Sequence, residues 1–209
     1  MLRVAILDDH PAVLAGLRRL IEAEHDMAVV AAAAKPAELA KQIDGIRVDV
    51  LVLDYDLADA DGLAYCQRVK SRPRPPRVVI YSADAAPALT LAARAAQADG
   101  VIGKAEPIPL LLSSIRRVVQ GEVVMPPLRH EAYEALIARI DDEDLPILAM
   151  LLDGESLDAI AATLSVDRTD VGWRAQRMVG RLRRRIRVRS DEPAASTGTV
   201  GAGGSRSRW

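Results

Sequence analysis

The sequence predicts an α/β fold, a doubly wound five-stranded parallel sheet, followed by a small all-helical domain. Three observations predict it. Short aliphatic segments alternate with longer amphipathic segments through the first 120 residues, a pattern typical of repeated βα units. From residue 141 onward only helical patterns remain. Half of the residues are apolar and none is Phe, so we expect cores of Leu, Ile, Val and Ala.

Five segments are predicted to be strands because each is short, aliphatic and bounded by polar or turn-forming residues. They are 3–7 (RVAIL), 27–33 (MAVVAAA), 49–53 (DVLVL), 77–81 (RVVIY) and 100–103 (GVIG). A helical pattern follows each of them, at 11–24, 36–43, 62–71, 87–98 and 107–120. The sheet domain is therefore predicted to span residues 1–120.

The remaining chain divides into three parts. Residues 121–140 contain Gly and paired prolines and then a short amphipathic helix, which is typical of a linker. Residues 141–189 are predicted to form three helices, the first ending near Gly154. Residues 190–209 are rich in Gly, Ser, Ala and Thr, so we expect a disordered tail.

The last of these helices has a clear inner face. Val171, Ala175, Met178 and Leu182 recur at spacings of four, three and four residues, so they are expected to point into a core. Asp167 is placed to cap this helix. The opposite face is strongly cationic and is considered below.

Charge and composition set limits on location. The net charge is −1, but residues 180–189 carry six arginines and residues 141–144 read DDED. No apolar run approaches the roughly 18 residues of a membrane span, and the first residues do not read as a secretory signal. We expect a cytoplasmic protein without membrane association. The single cysteine, Cys66, excludes an internal disulfide.

Polar side chains follow four of the predicted strands at the point where each strand ends. They are Asp8 and Asp9, Asp54, Ser82 and Lys104. Because the carboxyl ends of parallel strands meet at one edge of a sheet, we expect these side chains to lie close together. Two ionised carboxylates about 4 Å apart repel by roughly 4 kcal/mol at an effective dielectric near 20, so a cation is expected among them.

This set of side chains suits a divalent cation and a phosphoryl group. Mg²⁺ prefers carboxylate oxygens, and an aspartate beside it can attack phosphorus and form an acyl phosphate. Asp54, on the central strand, is the candidate nucleophile. The alternative is that the acidic residues only cap helices, which accounts for each of them singly but poorly for all five polar residues at the correct strand ends. We expect a structural role for His10, since a hard cation prefers oxygen.

On these residues, the first 120 positions resemble the receiver domain of bacterial two-component response regulators. The segment 6–22 (ILDDHPAVLAGLRRLIE) is similar to the NarL/FixJ group, which carries a LuxR-type helix-turn-helix behind the receiver. The resemblance covers nearly all of the chain except the tail. It implies that Asp54 is the phosphate acceptor, that Lys104 pairs with the phosphoryl oxygens, and that Ser82 hydrogen-bonds to one of them.

The same resemblance implies a magnesium site made by Asp9, Asp54 and the backbone carbonyl of Asp56, with Asp8 assisting through a water ligand. Three positions depart from the family pattern. Val101 stands where an aromatic residue commonly precedes the lysine, Leu57 and Ala58 stand where Met-Pro is frequent, and Pro107 lies three residues beyond Lys104 rather than within two.

The resemblance to the LuxR-type helix-turn-helix implies DNA binding by the outer face of the last helix. Arg and Gln side chains can read base edges there, and other arginines can neutralise phosphates. The predicted DNA-binding residues are Gly172, Trp173, Arg174, Gln176, Arg177 and Arg181. Asp170 and Gly172 depart from the usual Thr and Lys. The alternative is a solvated helix face in an interaction module, with Trp173 as a subunit contact.

These features predict a regulator rather than an enzyme. A sensor histidine kinase phosphorylates Asp54 with Mg²⁺, and the modified protein forms a homodimer, binds double-stranded DNA and changes transcription. In one alternative, the helical domain binds a protein partner or acts independently of phosphorylation. In the other, the chain is a phosphatase of the haloacid dehalogenase type with Asp56 as general acid, but no substrate-capping insertion is present.

Overall fold

The computed structural model describes residues 1–83, 87–127 and 130–190 and contains the predicted parallel sheet. Its strands lie in the order β2-β1-β3-β4-β5, and every neighbouring pair is parallel. The strands are β1 (Leu2–Leu7), β2 (Met27–Ala33), β3 (Val50–Asp54), β4 (Arg77–Ser82) and β5 (Gly100–Gly103). Each observed end is within one residue of the predicted end, so the predicted α/β fold class is confirmed.

Helices cover both faces of the sheet. They are α1 (Pro11–Glu22), α2 (Pro36–Gln42), α3 (Gly62–Lys70), α4 (Pro87–Ala95) and α5 (Ile108–Val119). Helices α1 and α5 pack with one face, and α2, α3 and α4 pack with the other. The strands read as continuous aliphatic runs because both of their faces are buried.

The C-terminal region is helical, as predicted. It contains α6 (His130–Ile137), a 3₁₀ turn (Asp142–Asp144), α7 (Leu145–Leu152), α8 (Leu157–Leu164) and α9 (Arg168–Ser190). Helix α6 falls in the predicted linker, and the other helices fall in the predicted C-terminal domain. Helix α9 ends at the first residue of the predicted tail, and residues 191–209 lie outside the described residues.

Local signals in the sequence account for these helix ends. Gly154 follows α7 with a φ of +87°, a conformation that glycine adopts without strain. The Ser156 hydroxyl accepts from the amide of Ala159 at the start of α8. Asp167 accepts from the amide of Thr169 at 2.7 Å, as expected for the cap of α9. The predicted inner face of α9 is buried from Val171 to Leu182.

Helix α4 connects the two parts of the molecule. It packs against the sheet on one side and against α6, α7 and α9 on the other. Leu89, Leu91, Ala92, Ala93 and Ala95 are all fully buried, which is typical of a helix enclosed on every side. Just beyond it, the Gln97 side chain donates to the carbonyl of Glu155 at 3.0 Å. A single apolar cluster therefore continues from the sheet domain into the C-terminal helices.

No helix among the described residues combines the length and the apolar character needed to cross a bilayer.

Candidate functional site

The carboxyl ends of the strands bring the predicted polar residues together. Strand β3 lies between β1 and β4, and β5 completes that edge. Leu7 is in register with Leu53, and Ser82 is in register with Gly103, so the residues that end or follow these strands share one edge. Asp8, Asp9, Asp54, Ser82 and Lys104 meet there.

Lys104 is the cation at the centre of this edge. Its Nζ lies 2.7 Å from Asp8 Oδ2 and 2.9 Å from Asp54 Oδ2. Both carboxylates are buried, while the lysine side chain is 19% exposed. The backbone amide of Lys104 donates to the carbonyl of Ser82 at 2.6 Å, which holds the backbone of Lys104 beside β4. The lysine Nζ also lies 5.8 Å from the centre of the Tyr81 ring.

Burial and charge act in opposite directions on these groups. Burial raises the pKa of Asp54, and the hydrogen bond from Lys104 opposes that shift. For Lys104, burial disfavours the charged form, but the hydrogen bonds to Asp8 and Asp54 outweigh it and raise the pKa. The lysine therefore remains cationic and is available to hold negative oxygen atoms.

Asp9 occupies a different position from Asp8. Its Oδ2 accepts from the amide of Ala58 at 2.8 Å, so this carboxylate is fixed to the loop after β3. Its Oδ1 is buried, and its one close polar contact among the described residues is the His10 Nδ1 at 2.8 Å. A buried carboxylate oxygen needs a positive or hydrogen-bonding partner, and a bound cation can supply one here. Asp8, Asp9, His10 and Asp54 can each place one ligand atom within 4.8 Å of the others.

His10 contributes more to this site than the sequence suggested. Its Nδ1 lies 2.8 Å from Asp9 Oδ1 and 3.2 Å from Asp8 Oδ1. Its backbone amide donates to Asp8 Oδ1 at 2.9 Å, which is consistent with the expected structural role. The imidazole nevertheless borders the carboxylates. The sequence could have indicated this contact, because His10 directly follows Asp8 and Asp9.

The loop after β3 holds the acceptor in place. The amide of Asp56 donates to Asp54 Oδ1 at 3.2 Å, and the Asp56 residue itself is exposed. At the start of α3, a Cβ on Gly62 would lie only 2.5 Å from the carbonyl oxygen of Asp54. Glycine is therefore required there, because any side chain would push the helix away from the acceptor strand. Val101, at the position of the usual aromatic residue, is buried in the core.

The predicted DNA-binding residues fall into two groups on α9. Trp173 is 69% exposed. Gly172 and Gln176 line a crevice between α9 and the sheet domain, opposite Gln67 and Ser71. This part of the predicted DNA-binding face is therefore directed toward the sheet domain in the structure.

The three arginines of the predicted face form ion pairs with the acidic 3₁₀ turn and with Asp141, the residue just before it. The carboxylate of Asp144, which is fully buried, accepts from Arg174 Nε at 2.6 Å and from Arg177 Nη2 at 2.8 Å. Arg174 also donates to the carbonyl of Glu143, and Arg181 lies 2.6 Å from Asp141. Although the sequence pattern indicated an open face, Arg174 is only 19% exposed.

The comparison with protein-family models matches residues 4–116 to the model described as "Response regulator receiver domain". The match includes β1 from Val4 onward, the other four strands and the whole acidic edge. The chain belongs to the response regulator receiver family. Its group is the NarL/FixJ type, as the resemblance implied, because relatives of that type align along nearly the full chain.

Two curated relatives show the extent of this similarity. The regulator is 25% identical over 199 residues to a nitrate/nitrite response regulator protein homolog of Haemophilus influenzae, covering 90% of this chain and 93% of the relative. It is 27% identical over 195 residues to the nitrate/nitrite response regulator protein NarP of Escherichia coli, covering 89% and 91%.

Solved structures share the fold. A LuxR-family two-component response regulator from Aurantimonas sp. is 29% identical with a TM-score of 0.57, covering 65% of this regulator and 97% of that chain. A structure of two RcsB dimers bound to two parallel DNAs is 20% identical with a TM-score of 0.55, covering 87% and 91%. The second of these shows the fold of both domains.

Proposed function

We propose that this regulator accepts a phosphoryl group on Asp54 from a sensor histidine kinase, and that its C-terminal helices then bind double-stranded DNA and control transcription. One observation carries the proposal: buried Asp54 is held by Lys104 beside Asp8 and Asp9, at the carboxyl edge of the sheet. The predicted roles of Asp8, Asp9, Asp54, Asp56, Ser82 and Lys104 agree with this arrangement.

The chemistry at Asp54 is a phosphoryl transfer. A carboxylate oxygen of Asp54 attacks phosphorus, the bond from phosphorus to the kinase histidine nitrogen breaks, and that imidazole leaves with the electron pair and takes up a proton. Lys104 is within hydrogen-bond distance of Asp54 and carries the charge that the incoming phosphoryl oxygens need. Ser82 ends the neighbouring strand, where its hydroxyl can hydrogen-bond to one of those oxygens.

The donor set fits Mg²⁺. Asp9 and Asp54 supply carboxylate oxygens, the backbone carbonyl of Asp56 supplies a third, and Asp8 assists through water, as the family resemblance implies. The buried Oδ1 of Asp9, whose one close polar contact among the described residues is the exposed imidazole of His10, supports this assignment. When bound, Mg²⁺ neutralises charge on the transferred phosphoryl group. Asp9 forms no described ion pair with Lys104, whereas Asp54 would contact both the lysine and the metal ion.

The fold offers a route from the acceptor to α9. Ser82 ends β4, and α4 begins at Pro87 and packs directly against α9. In the described structure Gly172 and Gln176 line a crevice beside the sheet domain, and Gln176 is still exposed there. We infer that phosphorylation shifts the population toward a state in which α9 separates from α4, and in which a homodimer binds DNA through Gly172, Trp173, Arg174, Gln176, Arg177 and Arg181.

Three further parts of the proposal rest on family and sequence. Receiver, linker and DNA-binding domains are assigned to residues 1–120, 121–140 and 141–189. The protein is assigned to the cytoplasm and acts as a regulator, not as an enzyme that turns over substrate. Dimer formation is supported by the related fold of RcsB, which is described as dimers on DNA.

Magnesium is expected to stabilise the protein through the acidic edge. At a Mg²⁺ concentration ten times the dissociation constant, the folded state gains about 1.4 kcal/mol, which corresponds to a Tm increase of about 3–5 °C in a chain of this size. The Asp9→Asn variant should lose most of this increase because it removes one charged ligand. Differential scanning fluorimetry against NaCl of equal ionic strength measures it. An equal shift in parent and variant contradicts the assignment.

The DNA-binding proposal is tested by selecting sheared genomic DNA with the full-length protein at near-physiological salt. Parallel samples contain or lack Mg²⁺ with beryllofluoride, which mimics the acyl phosphate. We expect a discrete sequence to be enriched only with beryllofluoride. Enrichment in both samples supports a regulator uncoupled from phosphate. Failure in both contradicts DNA binding and favours a protein partner, and steady hydrolysis of a phosphate ester favours the phosphatase alternative.

A further inference from the structure

A second site lies at the opposite edge of the sheet from Asp54. A cavity of about 720 Å³ opens between α2, α3 and the loops that lead into β3 and β4. This volume falls within the range of about 300–1,000 Å³ that is typical of small-molecule sites. Strand β3 has five residues from Val50 to Asp54, and its four residue-to-residue steps of about 3.3 Å separate the two edges by about 13 Å. The cavity is therefore distinct from the acidic edge.

The inner wall of this cavity is apolar. Leu39 and Ile43 line it from the α2 side, Leu51 from β3, and Val69 from α3. Leu39, Leu51 and Val69 belong to the buried core, so the cavity reaches inward to the sheet. A ligand that occupied it would bury an apolar body against these side chains.

The rim of the cavity is cationic. Arg47, Arg72, Arg74 and Arg77 line it, against one acidic residue, Asp49. Arg47 is paired with Asp49 at 3.0 Å, and Arg77 is paired with Asp99 at 2.8 Å. Within the described parts of the chain, Arg72 and Arg74 form no ion pair. Two positive charges at the mouth of the cavity therefore have no counterion among the described residues.

The Tyr65 hydroxyl is the strongest sign of a ligand. Tyr65 lines the cavity and is 4% exposed, yet among the described residues its hydroxyl has no hydrogen-bond partner. Buried hydroxyl groups are normally hydrogen-bonded, because leaving one unpaired costs free energy. Burial raises the pKa of Tyr65, and the charges of Arg72 and Arg68 oppose this shift, so the phenol stays protonated as a donor. Arg72 lines the same cavity, so both side chains border the space that one bound anion would occupy.

We propose that this cavity binds a small amphipathic anion, a carboxylate or phosphate group attached to an apolar body. The anionic group is held by Arg72 and Arg74 and accepts a hydrogen bond from the Tyr65 hydroxyl. The apolar body packs against the core side chains of the inner wall. Arg72 directly follows Ser71, which lines the crevice facing Gly172, so an occupied cavity adjoins the contact between the two domains. The proposal does not depend on phosphorylation of Asp54.

The first test uses four probes on the full chain in the absence of Mg²⁺. Octanoate and phenyl phosphate carry both a charge and an apolar body, and they distinguish a carboxylate from a phosphate. Inorganic phosphate and 1-octanol each carry only one of these properties. By isothermal titration calorimetry we expect octanoate or phenyl phosphate to bind at least about tenfold more tightly than both single-property probes. If neither amphipathic probe binds more tightly, the proposal is wrong.

The second test assigns binding to this cavity. Tyr65→Phe removes only an oxygen atom, so we expect the affinity for the better probe to fall about tenfold while the Tm of the unliganded protein does not fall. Arg72→Gln should weaken binding to a similar extent. The matched control is Arg18→Gln on the exposed face of α1, which should bind like the parent. Parental affinity in both Tyr65→Phe and Arg72→Gln overturns the proposal.

Discussion

Replacing Asp54 with Asn is expected to reduce phosphate incorporation to background when the protein is incubated with Mg²⁺ and radiolabelled acetyl phosphate. The amide cannot form the acyl phosphate, and neither Asp8 nor Asp9 ends the central strand beside Lys104 as Asp54 does. The protein is separated from free acetyl phosphate under acidic conditions, and the radiolabel that it retains is counted.

Asp56→Asn is the matched control for this prediction. Its side chain is exposed, and only its backbone carbonyl is assigned to the magnesium site, so the variant should retain most of the label. Both proteins should show the same far-ultraviolet circular dichroism. Full labelling of Asp54→Asn would place the acceptor on another residue and would remove the basis of the proposed switch.

Asp144→Asn is expected to be the most destabilising single substitution in the C-terminal helices. Asp144 is fully buried and accepts from both Arg174 and Arg177. Removing the charge leaves the largely covered guanidinium of Arg174 without its anion, and breaking such a pair costs about 3 kcal/mol. Urea unfolding followed by Trp fluorescence measures this change, since Trp173 lies on the same helix.

The neighbouring residue provides the control for this substitution. Asp142 lies in the same 3₁₀ turn but is exposed, so Asp142→Asn should change the free energy of unfolding by less than about 0.5 kcal/mol. If the two variants unfold at the same urea concentration, the buried ion pairs do not stabilise the domain.

The carboxylate of Asp144 also makes the stability of the C-terminal helices depend on pH. Burial alone would raise the pKa of Asp144, but the hydrogen bonds from Arg177 and Arg174 outweigh it and lower the pKa. Because the pKa of Asp144 is lower in the folded protein than in the unfolded chain, the carboxylate stabilises the fold at pH values above its unfolded-state pKa of about 3.9. This stabilisation is lost as the pH falls through the folded-state pKa. The difference between parent and Asp144→Asn should therefore diminish below about pH 4.

The sheet was predictable because its signals are local. Each strand is a short aliphatic run followed by a helical pattern, and this order defines a parallel sheet before any contact is known. The position of Lys104 beside Asp54 could also be anticipated, since parallel strands place their carboxyl ends on one edge. The hydrogen bonds from Lys104 to both Asp8 and Asp54 required the structure, because side-chain geometry is not encoded in spacing.

The arginines of α9 show why prediction was incomplete there. The DDED segment and the arginines at 174, 177 and 181 were both visible in the sequence, but the partners are about 30 to 40 residues apart. A helical periodicity shows which residues share a face and does not show what covers that face. The structure places the acidic turn against this face, so the arginines already have partners within the chain.

Helix α4 has a consequence for how this molecule unfolds. Its apolar residues belong at once to the core beneath the sheet and to the contact with α9. Melting of the C-terminal helices would expose one side of α4 to water and would weaken the sheet domain from which it extends. Heating should therefore give a single calorimetric transition, with equal van't Hoff and calorimetric enthalpies. A fragment cut after residue 120 would carry an uncovered apolar strip and should self-associate.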